Sequence, residues 1–177
     1  TSSKNELFIL GTTGSSNYPT TPGAFDQTFN GGTNFTLTYV LQFPQGSDIV
    51  ISRLSADGTN LLSSTYVGGS GNDGLNVPWP LKHNYADEVR GEIKIDKNDN
   101  IYVVSSTHSA NFPITSGAFQ TTFGGGTQDA CIFKMDYNLS NMIWASFLGG
   151  NGNDAAYSLV LDNTDNIYVA GGTTSKN

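Results

Sequence analysis

Oxygen-bearing side chains stand at alternate positions in one short stretch of the chain. Asp96, Asn98 and Asn100 are two residues apart, the spacing that opens a calcium-binding loop. A complete loop also needs a glycine at its sixth position and a distal bidentate glutamate, and both are missing here. A weaker copy of the stretch has Asp162, Thr164 and Asn166. We therefore expect plain hairpin turns and no metal site, with calcium as the open alternative.

Residues able to catalyse a reaction are few and scattered. His83 and His108 are the two histidines, and neither accompanies a serine or cysteine in a recognisable nucleophile signature. Asp73 and Asp154 follow glycines in matching loops, where an aspartate typically accepts backbone N–H bonds and fixes the turn. We predict that the protein is not an enzyme and needs no cofactor.

These residues are set within a sequence repeat. Residues 99–103, DNIYV, return 66 positions later as residues 165–169, and residues 5–9, NELFI, are a weaker copy 94 positions earlier. Other motifs repeat at an offset of 81. The offset falls from 94 to 81 and then to 66 because the first unit carries two insertions that the second lacks. The chain therefore holds two units and part of a third.

The repeat predicts an all-β fold. A period of this length built from short strands is typical of a propeller or array, while 21 glycines and Asn/Asp turns favour strands over helices. The predicted first strand of a unit is residues 92–96 and 157–162, and the second is residues 101–107 and 167–173. The predicted third strand is residues 48–55 and 129–136, and the fourth is residues 61–67 and 142–148. We expect four-stranded antiparallel blades and no helix longer than about two turns.

Three segments carry a resemblance to a known family. They are GTTGSSNYPTTPGAFDQTF from Gly11, SSTYVGGSGNDG from Ser63 and NFPITSGAFQTTFGGGTQDACIFKMD from Asn111. They resemble the bacterial beta-propeller repeat, or SBBP repeat, of large secreted and cell-surface proteins. The resemblance implies a β-propeller fold and an extracellular location, and it offers no catalytic residues because its motif consists of packing and turn positions.

The repeat also predicts how the chain is organised. We expect a partial first blade over residues 1–89, with insertions at about 35–47 and 75–89, a complete second blade over 90–155 and the start of a third over 156–177. Closing a propeller takes four to eight blades, so we expect this chain not to close a ring alone. Its open edges would be covered by the rest of a longer chain or by a protein partner.

Recurrent aromatic residues are predicted to pack between the blades. The set consists of Tyr18, Phe25, Phe29, Phe112, Phe119, Phe123, Phe133 and Trp144. The single Cys131 lies in an alternating strand and is expected to be buried.

The two insertions concentrate the remaining candidate binding residues. Residues 35–43 alternate in polarity, which predicts one added strand with Phe35, Leu37, Tyr39, Leu41 and Phe43 on one side. Both insertions interrupt loops on the same face, and aromatic rings beside carboxylates can bind a sugar or a protein. The candidate ligand-binding or partner-binding residues are Tyr39, Phe43, Trp79, His83, Tyr85 and Asp87. The favoured alternative is that these side chains pack down and cap the blade.

The charge and hydropathy of the chain argue against two classes of partner, nucleic acid and the membrane interior. Eight basic and 15 acidic residues give a net charge of −7, which repels nucleic acid. No apolar run of about 18 residues is present, so we expect no membrane insertion. The sequence favours a non-catalytic, secreted or cell-surface module that acts as a spacer, adhesin segment or docking platform. The alternative is a propeller that binds or cleaves carbohydrate, and a surface polysaccharide is accordingly a possible partner.

Overall fold

The computed structural model describes residues 1–37, 41–83 and 85–176, with the backbone alone described at Tyr85. The described residues form eleven β-strands and two short 3₁₀ turns, at Trp79–Leu81 and Tyr85–Val89. The strands are β1 Leu7–Thr13, β2 Phe35–Leu37, β3 Leu41–Phe43, β4 Asp48–Leu54, β5 Leu61–Val67, β6 Glu92–Ile95, β7 Ile101–Thr107, β8 Asp129–Met135, β9 Met142–Leu148, β10 Asp154–Leu161 and β11 Ile167–Thr173. The predicted all-β class is confirmed.

Among the described residues, all strand pairs are antiparallel and no sheet is closed. The first sheet has the order β1-β4-β5, the second β6-β7-β8-β9 and the third β10-β11, while β2 and β3 form a separate hairpin. The strand β10 begins three residues before its predicted start, because Asp154 to Ala156 pair with Thr173 to Gly171 ahead of a bulge.

The first insertion corrects a prediction. Residues 35–43 do not form one added strand: Phe35 pairs with Phe43 and Leu37 pairs with Leu41, which makes a hairpin. The alternation of apolar residues runs through the whole segment in the sequence, so it could not distinguish one strand from two. Leu37 and Phe43 are buried and Leu41 is exposed. Tyr39 lies outside the described residues.

The hairpin turns recur with the same backbone geometry. Asn5, Asp99 and Asp165 occupy equivalent repeat positions and have φ values of 61°, 63° and 63°. Asparagine and aspartate tolerate this left-handed conformation better than most residues. These turns therefore use left-handed backbone at the same position of each repeat.

The core is divided between the two faces of the second sheet. Alternate residues of β7 point in opposite directions, so Ile101 and Val103 join a cluster with the first sheet, whereas Tyr102 and Val104 join a cluster with the third. All seven residues of β7 are buried. The second sheet is therefore the middle layer of the described fold.

The aromatic set behaves as predicted with one exception. Phe112 and Phe133 are buried with their ring centroids 6.0 Å apart. Phe119 is 88% exposed, so its predicted packing role is wrong within the described residues. The remaining members are partly buried: Tyr18, Phe25, Phe29, Phe123 and Trp144.

Candidate interaction surfaces

The second insertion is held down by a buried amide network. Asn76 Nδ2 donates to the backbone oxygens of Leu81, at 2.8 Å, and Asp87, at 3.1 Å. Asn76 Oδ1 accepts from Gln128 Nε2 at 2.9 Å, and Gln128 Oε1 accepts from the Val77 N–H at 2.9 Å. Asn76 and Gln128 are almost fully buried. The network fastens the insertion, which follows the first sheet, to the start of β8 in the second.

The same insertion also reaches the third sheet. The Tyr157 hydroxyl of β10 donates to the Leu81 carbonyl, and the Arg90 guanidinium lies 5.2 Å from the centre of the Tyr157 ring. Gln128 Nε2 donates a second bond to the Asp154 carbonyl at 3.0 Å. The second insertion thus contacts both the second and the third sheets, as a structural cap would.

The two insertions touch one another. Leu75 is fully buried and clusters with Leu37 and Phe43 of the first insertion, with Phe35 and Val77 partly buried beside them. Phe43 is therefore a packing residue in this structure.

The predicted binding residues divide into exposed and buried sets. Trp79 is 77% exposed and His83 is also exposed. Asp87 is buried, accepts the His83 N–H at 2.9 Å and pairs with Arg90 at 3.1 Å. Tyr39 and the side chain of Tyr85 lie outside the described residues. Trp79 and His83 are the two described candidates that present side chains to solvent.

The alternating Asp96 stretch is satisfied by hydrogen bonds. Asp96 Oδ1 accepts the N–H groups of Asn98 and Asn100, both at 2.9 Å, and Oδ2 accepts from Asn100 Nδ2 at 2.9 Å and from Lys134 Nζ at 3.0 Å. Burial opposes ionisation, but these bonds hold the pKa of Asp96 below its usual value. The geometry fits a hairpin turn. Within the described ranges, no three His, Cys, Asp or Glu side chains gather as metal ligands.

The glycine-loop aspartates fix their turns as predicted. Asp73 Oδ2 accepts the Gly69 N–H at 2.7 Å, and Asp154 Oδ2 accepts the Gly150 N–H at 2.8 Å.

Burial shifts the pKa values of two interior residues, Cys131 and His108. Cys131 is fully buried, and burial raises the pKa of its thiol well above the usual value, which disfavours the reactive thiolate. Burial likewise lowers the pKa of His108, whose Nε2 lies 3.3 Å from the Leu75 oxygen.

An open apolar groove surrounds Phe119, a feature that the sequence analysis missed. It has a volume of about 800 Å³ and lies between β9 of the second sheet and β11 of the third. Its apolar lining includes Phe119, Ile143, Trp144, Leu148, Ile167 and Val169.

The equivalent position in the first repeat is covered. Phe25, 94 residues before Phe119, packs against the core between the first and second sheets. Its N–H donates to the carbonyl of Leu139 in the β8–β9 turn at 2.8 Å. Leu139 is fully buried. Among the described residues, no corresponding turn covers Phe119, which explains why the same motif is exposed there.

No family model matches the chain, and no curated protein matches its sequence. The resemblance to the bacterial beta-propeller repeat therefore stays a prediction. The described part of the chain has no helix with the length and apolar character needed to cross a membrane.

Proposed function

We propose that this chain is a non-catalytic structural and interaction module of the β-propeller type, within a longer extracellular protein. Its open faces would join further repeats or a protein partner. The observation that carries the proposal is the contrast between Phe25, covered by the next sheet, and Phe119, exposed in an apolar groove.

Contacts between the first strands of neighbouring units support a radial arrangement. Glu92 of β6 accepts from the Ser158 hydroxyl at 2.5 Å and from the Leu159 N–H at 2.7 Å, both in β10. The apolar clusters on both faces of the second sheet fit the same arrangement, because stacked blades bury both faces of each inner sheet. Exposed apolar grooves of this kind mark association sites.

The packing around Phe25 indicates which kind of segment would fill the groove. Over Phe25 the cover is the β8–β9 hairpin, which brings the Leu139 carbonyl to the Phe25 N–H and buries the Leu139 side chain in the shared core. A hairpin of the same type, placed after the third sheet, would cover Phe119 in the same way.

Extending the chain tests this proposal. A copy of residues 112–148 joined directly after residue 177 continues the third unit in register, because Asn111 and Asn177 are 66 residues apart, as are Ile101 and Ile167. We expect the extension to bury Phe119 and to raise the free energy of unfolding by about 2 kcal/mol, the value of burying one large apolar side chain. Urea unfolding and binding of a hydrophobic dye would measure the change.

A matched extension provides the control. The same added residues with glycine at the copied Leu139 position keep the left-handed turn but remove the buried side chain, so they should stabilise less. An extension that stays protease-sensitive while Phe119 remains exposed would contradict the proposed docking of repeats.

Carbohydrate binding is the second candidate function, favoured by the exposed Trp79 ring. Indole rings form apolar platforms with a polar N–H, a combination that suits sugar faces. We expect Trp79→Ala to leave the unfolding free energy within about 0.5 kcal/mol of wild type and to abolish retention on immobilised surface polysaccharide. Equal retention of both proteins, or none by wild type, would exclude this role for Trp79.

A further inference from the structure

Two buried aspartates face each other where the first sheet meets the second. Asp48 opens β4 and Asp73 follows β5, and both side chains are fully buried. A Cβ atom placed on Gly68 would lie 2.6 Å from Asp48 Oδ1 and 2.8 Å from Asp73 Oδ2. The two carboxyl oxygens therefore flank the same small space.

The hydrogen bonds of this pair are unequal. Asp73 Oδ1 accepts from the Thr107 hydroxyl, and Oδ2 accepts from the Ser109 hydroxyl at 2.8 Å. Thr107 ends β7 and Ser109 follows it, so Asp73 joins the two sheets. Asp48 Oδ2 accepts the Asn30 N–H at 2.6 Å, but the buried Oδ1 has no hydrogen-bond partner among the described residues.

The same arrangement recurs 81 residues later, where the second sheet meets the third. Asp129 opens β8, Asp154 opens β10, and a Cβ on Gly149 would lie 2.6 Å from Asp129 Oδ1 and 2.9 Å from Asp154 Oδ2. Asp129 Oδ1 is again buried without a partner. Asp154 Oδ2 accepts from the Ser175 hydroxyl, at 2.8 Å, beyond β11. The recurrence shows that the missing partner is a property of the repeat.

A proton on one aspartate of each pair would remove the repulsion between the two carboxylates and give the unpaired oxygen a hydrogen to donate. Two neighbouring buried carboxyl groups do not readily ionise together, and the ion pairs among the described residues include none of these four aspartates. Protonation of Asp48 converts its unpaired Oδ1 from an acceptor into a donor. The carboxyl oxygen across the Gly68 space is Asp73 Oδ2, which also accepts the Gly69 N–H and the Ser109 hydroxyl.

We propose that one shared proton fastens each junction between neighbouring sheets, held by Asp48 and Asp73 at the first junction and by Asp129 and Asp154 at the second. Each pair binds this proton from water at acidic pH and releases it as the pH rises to neutrality. Loss of the proton leaves two facing carboxylates and a buried oxygen without a donor, which loosens the junction. The proposal does not depend on the proposed function.

The titration of these groups agrees with the geometry. Burial raises the pKa of Asp48 to about 6, of Asp73 to about 7 and of Asp129 to about 6. Neighbouring acids add to the effect, since the charge of Asp48 raises the pKa of Asp73 and the charge of Asp154 raises that of Asp129. The other titratable groups coupled to these carboxyls are Asp26, Tyr66 and Cys131.

The sign of the pH dependence follows from the raised pKa values. The folded protein binds protons that the unfolded chain, with ordinary carboxyl pKa values near 3.8, releases. Stabilisation by the pairs is therefore complete below about pH 4 and is lost as the pH rises through 6 to 7. This direction is opposite to that of an aspartate in an ion pair.

Thermal unfolding between pH 5 and pH 8 tests the proposal. We expect the Tm of wild type to fall by about 5 °C or more over this range. The double variant Asp48→Asn and Asp129→Asn should lose most of this fall and exceed wild type at pH 8, because each new amide donates permanently across the pair. Asp57→Asn is the control: burial is absent at Asp57, and bonds from Ser55 and Thr59 lower its pKa to about 2, so the variant should keep the wild-type pH slope.

Three outcomes would overturn the proposal. The first is a double variant that keeps the wild-type slope. The second is a wild-type Tm at pH 8 that rises with millimolar calcium while the double variant does not respond, which would make each pair a cation site. If the double variant fails to fold, NMR titration of the wild-type carboxyl carbons decides. Two or more aspartates titrating above pH 5.5 are expected, and none titrating there is the third contrary outcome.

Discussion

Phe133→Ala will lower the free energy of unfolding by about 3–5 kcal/mol, the usual cost of truncating a buried phenylalanine. Phe133 lies in β8 with no exposed surface, inside the cluster that joins the first and second sheets. The Phe112 ring, 6.0 Å away between centroids, would line the resulting cavity. Urea unfolding followed by circular dichroism measures the change, because the strands that unfold dominate that signal.

Phe119→Ala is the matched control for this substitution. It removes the same atoms from a ring that is 88% exposed, so the unfolding free energy should change by less than about 0.5 kcal/mol. Similar losses in the two variants would mean that Phe119 is covered in solution, for instance by a second copy of the chain. Unfolding at several protein concentrations would identify that case, because self-association stabilises the folded protein more at higher concentration.

The strands were predictable because each copy of the repeat shows the same strand pattern independently. The segments that became β5, β7, β9 and β11 have the predicted bounds, since polarity alternation and Asn/Asp or glycine turns mark both ends. Agreement between copies removes most of the ambiguity that a single short apolar run would leave. How the sheets stack around an axis involves contacts between units, and that arrangement stays a proposal.

Burial was less predictable, because it depends on what lies against a residue and not on the residue itself. Phe25 and Phe119 share the motif Gly-Ala-Phe, yet the β8–β9 turn covers one and leaves the other exposed. The repeat therefore predicted equal roles where the surroundings differ. A comparison of repeat positions with the number of neighbouring sheets would have indicated the groove.

The predicted set of binding residues differs from the exposed set for a related reason. Aromatic residues and carboxylates gather in the insertions, but Phe43 is drawn into a cluster with Leu37 and Leu75, and Asp87 is paired with Arg90. Composition alone could not show these contacts, which join the first insertion to the second and close the second on itself.

The burial of Asp48 and Asp129 at the sheet junctions was also not predicted from the sequence. The aspartates that open β4 and β8 repeat at the same offset as the neighbouring glycine loops. That coincidence was a readable signal, but an aspartate at a strand end is usually solvated. The burial of these aspartates follows from tertiary packing of the loops over them.

Asn76→Ala will release the second insertion from the sheets that it contacts. Alanine removes the two bonds from Nδ2 to the Leu81 and Asp87 oxygens and the bond from Gln128 Nε2. Buried groups left without partners cost roughly 1–3 kcal/mol each, but the Leu81 oxygen keeps its bond from Tyr157 and Gln128 Nε2 keeps its bond to the Asp154 oxygen. We therefore expect a net loss of about 2–4 kcal/mol in the free energy of unfolding.

The loosened insertion should also become a protease target before the sheets unfold. Lys82, which is paired with Glu88, and Arg90, which is paired with Asp87, are the trypsin sites of this segment, and both ion pairs depend on the fold that Asn76 holds. Asn98→Ala is the control, because Asn98 is exposed and its side chain makes no described hydrogen bond; its cleavage rate and stability should match wild type. Cleavage at Lys82 and Arg90 that is no faster in Asn76→Ala would show that the cap is held by its apolar contacts at Leu75 and Leu81, and that the amide network only fills polar space between the sheets.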